Sequence, residues 1–273
     1  MGIEYFFNEF YLDRSDIMQK RFWIFVCYAF ITGAFSMFLR WLQLINCFEE
    51  DTGLFISGGA LTPLFIILLL ISAAGMLLMA MRCRPAEEPE AALRARSPLC
   101  TVFSAVLAFV MFAGAVMLFV RAGDMRAAML FRLLAIMGVA AAASMFGAAD
   151  RMSRGRADST ACFCFTVIIL FYCLWMVASY KAHDSNPVIW SYAPEILAIA
   201  SGTLAWYFLA GFAFGKPKTV QTVFFSGLSF VLALTAMPDD RDLSLSILLM
   251  APGLEALMLS WMLIRNLQAE NGR

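Results

Sequence analysis

Histidine is nearly absent from this 273-residue chain, with His183 the single example. That scarcity removes much of enzyme chemistry at the outset. An H-E-x-x-H zinc site needs two histidines one helical turn apart, and a serine–histidine pair needs a histidine in a protected place. His183 stands instead in the polar run Lys181-Ala-His-Asp-Ser-Asn-Pro187, which reads as a loop. No G-x-x-x-x-G-K-[ST] run occurs, so no P-loop is available for ATP. The Glu49-Glu50 pair lacks the downstream histidines of a glutamate-type intramembrane protease. The expectation is a protein that is not an enzyme and carries no cofactor or metal.

Charge is scarce too. Only 15% of residues are charged and the net charge is zero, so global charge implies no nucleic-acid partner, and the basic residues fall in short clusters beside the spans. The amino terminus, Met1-Gly-Ile-Glu-Tyr-Phe-Phe-Asn, is acidic and aromatic where a signal peptide is basic, so the first apolar helix is expected to be retained. Residues 3–12 pattern as a short helix lying in the membrane interface. Seven cysteines lie scattered, the nearest pair being Cys162 and Cys164, without the further ligands of a zinc site. They read as small buried hydrophobes.

What is abundant is apolar sequence. Hydrophobic residues make up 62% of the chain, well above the roughly 45–50% of soluble domains, and mean hydropathy is +0.78. Since a spanning helix takes about 20 apolar residues, the chain divides into eight spans, near 22–44, 60–81, 99–120, 127–148, 160–180, 191–214, 219–237 and 243–264. This predicts an all-α polytopic membrane protein. The linker 83–98, with Glu87, Glu88, Glu90, Arg94 and Arg96, reads as solvated.

Lys and Arg concentrate at the tails and the even-numbered connections, as at Lys20-Arg21, Arg82 and Arg84, Arg151 to Arg156, Lys216 and Lys218, and Arg265. By the positive-inside rule both termini are expected in the cytoplasm, and the membrane is expected to be the inner, cytoplasmic one. The order of loops repeats as well. Residues 1–155 and 156–273 each read as four helices with a long first outer loop and a tight charged last one, Pro194 answering Pro63. Such a pattern predicts two four-helix halves in parallel repeat, a common transporter plan.

Ionisable groups at bilayer depth cost about 2.5–3.5 kcal/mol at a helix centre on the insertion scale, so each needs a partner, a cavity or a route to the interface. Four stand out: Arg40, Arg132, Glu195 and Glu255. Arg40 and Glu195 lie near span ends and are expected to reach the interface. Glu255 lies roughly 15 Å from Arg265 along a helix, close to the membrane centre. It follows Pro252-Gly253, which reads as a helix break of the kind that holds substrate or coupling ions in transporters. Arg132, about 9 Å in from Arg126, is its expected partner. The alternative is that this pair only packs helices.

Small residues mark close helix contacts at Gly211-x-x-x-Gly215 and along Gly138, Ala142, Ala143, Ser144 and Gly147, within the chain or in a homodimer. The outer-loop carboxylates Glu49, Glu50 and Asp51 read as a solvated turn rather than a divalent-cation site.

The run Leu39-Arg-Trp-Leu-Gln-Leu44, followed by Phe48-Glu49-x-Asp51-Thr-Gly-Leu54, resembles the outer-loop signature of a family of small polytopic bacterial membrane proteins with no assigned activity. That resemblance implies an architecture and no substrate. Taken together these readings predict a small-solute permease with a midplane carboxylate at Glu255. The competing reading is a membrane scaffold or sensor component whose outer loop meets a membrane partner.

Overall fold

A computed structural model describes residues 2–49, 54–56, 59–86, 88–95, 97–156, 158–184, 186 and 188–270. The described chain is helical: α1 Gly2–Asn46, α2 Leu61–Met81, α3 Pro89–Ala92, α4 Pro98–Arg121, α5 Ala128–Ser153, α6 Ser159–Ala182, α7 Ala193–Ala213, α8 Thr219–Thr235 and α9 Leu243–Glu270, with single 3₁₀ turns at Ala122–Asp124 and Ile189–Ser191. Seven of these are long and apolar enough to cross a membrane. The eighth, α8, has 17 residues, short of the usual span of about 20. The segment at residues 3–12 forms no separate helix, because the backbone of α1 runs unbroken over 45 residues.

Local chemistry sets the helix ends. Asp158 caps α6, its carboxylate accepting from the Ala161 amide at 3.0 Å, and Ser97 caps α4 ahead of Pro98 in the first turn. Gly155 and Gly215, at φ 68° and 65°, close α5 and α7. At Gly215 the Lys216 amide reaches back to the Gly211 carbonyl at 2.8 Å and the Gly215 amide to Phe212 at 3.3 Å, the paired bonds of a Schellman ending. Gly211-x-x-x-Gly215 is therefore a helix stop and not a helix-pairing face. A Cβ on Gly211 would meet only the Lys216 carbonyl, at 2.8 Å, and one on Gly215 would meet nothing within 4 Å. The α5 small residues do pack: a Cβ on Gly138 would touch Ala115 at 3.0 Å and lie near Phe171 and Leu248.

The helices gather around α9, 72% of whose span window is buried, against 22% for α2. α9 packs on α4, α8, α1 and α7, while α2 leans on α1 and α8. The first four spans do not close on themselves. α1 and α2 sit on α8, whereas α4 and α5 sit on α9 and α6. Outward faces are apolar, as with Leu64, Ile67 and Leu70 on α2 and Phe109 and Val120 on α4, as lipid requires. Cys27 and Cys173 share this exposure and only Cys47 and Cys164 are buried, so several cysteines are not the interior residues expected.

The linker 83–98 is not a solvated strap. Ala92 and Leu93 are buried, the Asn266 amide donates to the Ala92 and Arg94 carbonyls at 2.9 Å each, and the Ala86 amide donates to Thr219 Oγ1 at 3.1 Å. Its charges hid two apolar residues that dock under the bundle. These bonds put the starts of α4 and α8 and the finish of α9 at one end, here the linker end.

Candidate functional site

Two groups of ionisable side chains lie inside the bundle. The first is Glu255, fully buried on α9. Its Oε1 is 2.7 Å from Ser104 Oγ on α4, and Oε2 has no hydrogen-bond partner. Ser104 Oγ also lies 3.1 Å from the Cys100 carbonyl one turn back. A hydroxyl has one hydrogen for these two acceptors. If that hydrogen goes to Cys100, the short contact to Glu255 is completed by a proton on the carboxyl.

Arg132 is not the partner of Glu255. It is exposed on α5, makes no ion pair among the described residues, and turns back so that its guanidinium lies against Gly123 of the 3₁₀ turn. Its long stem reaches the interface from a shallow position, which costs less than burying the charge. Nor does the chain break at Pro252 and Gly253: α9 continues through Pro252 to Glu270. Packing against α8 holds the helix through the proline, and the space beside Gly253 would admit a Cβ in ordinary contact. A Cβ there would stand 3.6 Å from Ala233 and 3.9 Å from the Ser229 carbonyl.

The second group is at the opposite end, here the cleft end. Arg40 and Glu195 do not reach the interface. Arg40 is fully buried, its Nε donating to Asp239 Oδ1 at 2.7 Å, Nη1 to Gln43 Oε1 at 2.8 Å and Nη2 to the Ser191 carbonyl at 3.2 Å. Gln43 passes the network to Thr62 at 3.0 Å. One arginine thereby ties α1 to the starts of α2 and α7 and to the α8–α9 turn. Three directed hydrogen bonds and a carboxylate explain why it points inward.

Glu195, 4% exposed, accepts from Ser179 at 2.9 Å and faces Arg241 Nη1 at 3.9 Å. Arg241 also donates to the Ala236 carbonyl, yet its Nε and Nη1 have no hydrogen-bond partner, and neither has Asp239 Oδ2. Burial pushes the Asp239 carboxyl up from its ordinary value, Arg40 and Arg241 pull against this, and Glu195 adds to the rise. Nearby Asp242 lies below its ordinary value. Partial burial there raises it, but bonds from Ser244 and Arg121 outweigh that.

Arg241 and Glu195 wall a cleft of about 690 Å³ that opens at this end between α7, the α4–α5 turn and the start of α9. Arg121, Asp124, Arg126, His183, Asp240 and Asp242 also line it. The connection between α1 and α2 stands apart. Phe48 and Phe55 face one another in a small antiparallel contact, the Glu49 amide bonded to the Leu54 carbonyl at 3.0 Å and the Ile56 amide to the Cys47 carbonyl at 2.8 Å. Glu49 is exposed, while Glu50 and Asp51 lie outside the described residues. Among the described residues no group of three His, Cys, Asp or Glu could hold a metal ion.

Asp239 and Arg241 escaped notice in the sequence because they sit in a turn, where charges ordinarily face water. The available signal was the density of Pro238-Asp-Asp-Arg-Asp242, matched at the same level by Arg40 and Glu195.

Fold and surface together define the class: a polytopic helical integral membrane protein. The chain has no match among protein-family models, curated proteins or solved structures.

Proposed function

We propose that this protein is a small-solute permease of the cytoplasmic membrane, with both termini in the cytoplasm, the cleft facing outward and Glu255 as its proton-binding group. The observation that carries the reading is the setting of Glu255: a fully enclosed carboxyl whose described hydrogen-bond partner is one serine hydroxyl, with one oxygen left without a partner. A carboxyl kept for packing alone would be better served by a cation or by replacement with an apolar side chain. One kept to take up and release a proton needs room for both states, and the Ser104 hydroxyl serves either by turning. Pro252 supports the reading further, because it offers no amide to the Leu248 carbonyl and leaves α9 a point of bending between cleft and carboxyl.

The two-half plan, residues 1–155 and 156–273, belongs to this proposal as an account of origin. The working unit draws on both halves, since Ser104 and Glu255 come one from each.

A second reading, a scaffold or sensor component with a membrane partner or a second copy at its outer loop, is favoured by the closure of the path. Leu248, Leu249, Ala251 and Pro252, all buried, separate Glu255 from the cleft. Thiol labelling decides between them. Glu255→Cys in a cysteine-free background, treated with a small impermeant reagent from each side, should label in a permease that opens. A folded protein that never labels from either side supports the scaffold.

A further inference from the structure

The geometry points to the outer-end cleft as a binding site for a zwitterionic small molecule, its carboxylate on Arg241 and its ammonium toward Glu195 and Asp240. This deepens the permease reading by naming the class of solute, and it rests on that reading for the role of the site.

The Arg241 side chain is only 7% exposed, and two of its N–H groups, on Nε and Nη1, have no hydrogen-bond partner. A buried guanidinium with unmet donors is strongly unfavourable unless something supplies acceptors. Glu195 stands 3.9 Å away, too far for a hydrogen bond, and it is already engaged by Ser179. The side chain is held by its bond to Ala236 and lines the cleft with Nε and Nη1 enclosed and lacking acceptors, so a carboxylate in the cleft meets them once the guanidinium turns outward. Carboxylates and phosphates are what such donors bind best.

The rest of the lining narrows the choice. Three arginines, Arg121, Arg126 and Arg241, face four carboxylates, Asp124, Glu195, Asp240 and Asp242. Arg121 is taken by Asp242 at 2.9 Å. Behind the wall, Arg40 and Asp239 neutralise one another at 2.7 Å. A simple anion, and a phosphate dianion above all, would meet Arg241 but face a surplus of negative charge. A molecule carrying one charge of each sign satisfies both sides. The volume, about 690 Å³, falls in the ordinary range of roughly 300–1,000 Å³ for small-molecule sites, ample for a compact amino acid.

Binding to the purified protein tests this without any need for transport. L-alanine, L-glutamine, acetate, methylammonium and inorganic phosphate are titrated in turn, by calorimetry and by the shift in thermal unfolding. The expected result is binding of at least one of the two amino acids, with acetate and phosphate at least tenfold weaker. Arg241→Gln should weaken that binding at least tenfold, and Asp240→Asn, at an exposed position that threatens folding little, should weaken it several-fold. No binding of either amino acid, equal binding of acetate or phosphate, or an amino-acid affinity untouched by Asp240→Asn in the folded protein overturns the inference. Glu255→Gln separates the two readings: binding kept with transport lost supports both, whereas binding without transport in the unaltered protein leaves the site standing and removes the permease.

Discussion

Arg40 makes the sharpest claim at the scale of single residues. It is fully buried and its partner Asp239 is nearly so, so cutting the pair from one side strands a charge in a dry interior, a loss of about 3–5 kcal/mol. Arg40→Met and Asp239→Leu should each lower stability by that order in reversible unfolding from detergent micelles. The double variant should recover most of the loss, because a desolvated pair is close to break-even against apolar side chains. A double variant no better than the singles would mean that the bonds to Gln43 and Ser191 matter more than the charge pair. Asp158 behaves differently, since it is only half-buried and its carboxyl lies below the ordinary value, held there first by the Ala161 amide, with Arg151 helping to outweigh the opposing effect of burial. Its contribution is present above the ordinary carboxylate range and is lost as pH falls through the lowered value. Asp158→Asn should therefore narrow the stability gap between neutral and acid conditions, read as the difference in unfolding midpoint across that range. Little of this was legible in the sequence. Arg40 and Glu195 could be recognised as charges near span ends, but both side chains are long enough to reach water, and only the position of the 238–242 turn decides that they turn inward.

Helices and their ends were far more legible, for a physical reason. Apolar length acts over a few residues, so spans placed near 99–120, 160–180 and 191–214 fall within two residues of α4, α6 and α7, whereas the stop at Gly215, with its φ of 65°, was hidden inside an apparent helix-contact motif. Pro252 misled because its local effect, a missing amide, is overridden by packing that involves α8. The same locality makes two turn positions testable. Ala127 adopts φ 59° ahead of α5, a left-handed conformation that costs a residue with a Cβ about 1–2 kcal/mol. Ala127→Gly should raise stability by about 1 kcal/mol, and Gly215→Ala, at φ 65°, should lower it by a similar amount. Gly202→Ala ought to cost more, since its Cβ would stand 2.6 Å from the ring of Tyr172, which is fully buried and has little freedom to retreat. About 1–3 kcal/mol is the usual range for such overpacking. The three variants are compared by their thermal unfolding midpoints in one detergent.

For the whole molecule the open quantity is the number of crossings, and α8 decides it. Its 17 residues extend about 25 Å, less than one hydrocarbon thickness of about 30 Å, and by length alone seven helices qualify. Hydrogen bonding argues for eight. Thr219, at the start of α8, holds the Ala86 amide at the linker end, and the turn that follows α8 carries Asp239 to Arg40 and Arg241 to Glu195 at the cleft end. A helix tied at opposite ends of the bundle traverses it. α8 tolerates being short because α7, α9, α1 and α2 surround it, so its termini meet protein and bound turns where a peripheral helix would meet lipid. With eight crossings the Lys216–Lys218 connection lies on the same side as the carboxyl terminus, and Asp240 lies on the other. Single cysteines at 216 and 240 in a cysteine-free background should accordingly react with an impermeant maleimide from opposite faces of oriented vesicles, and a carboxyl-terminal tag should be cleaved from the face that labels 216. Labelling of both cysteines from one face would make α8 a re-entrant segment and put the termini on opposite sides, and the outward orientation proposed for the cleft would fall with it.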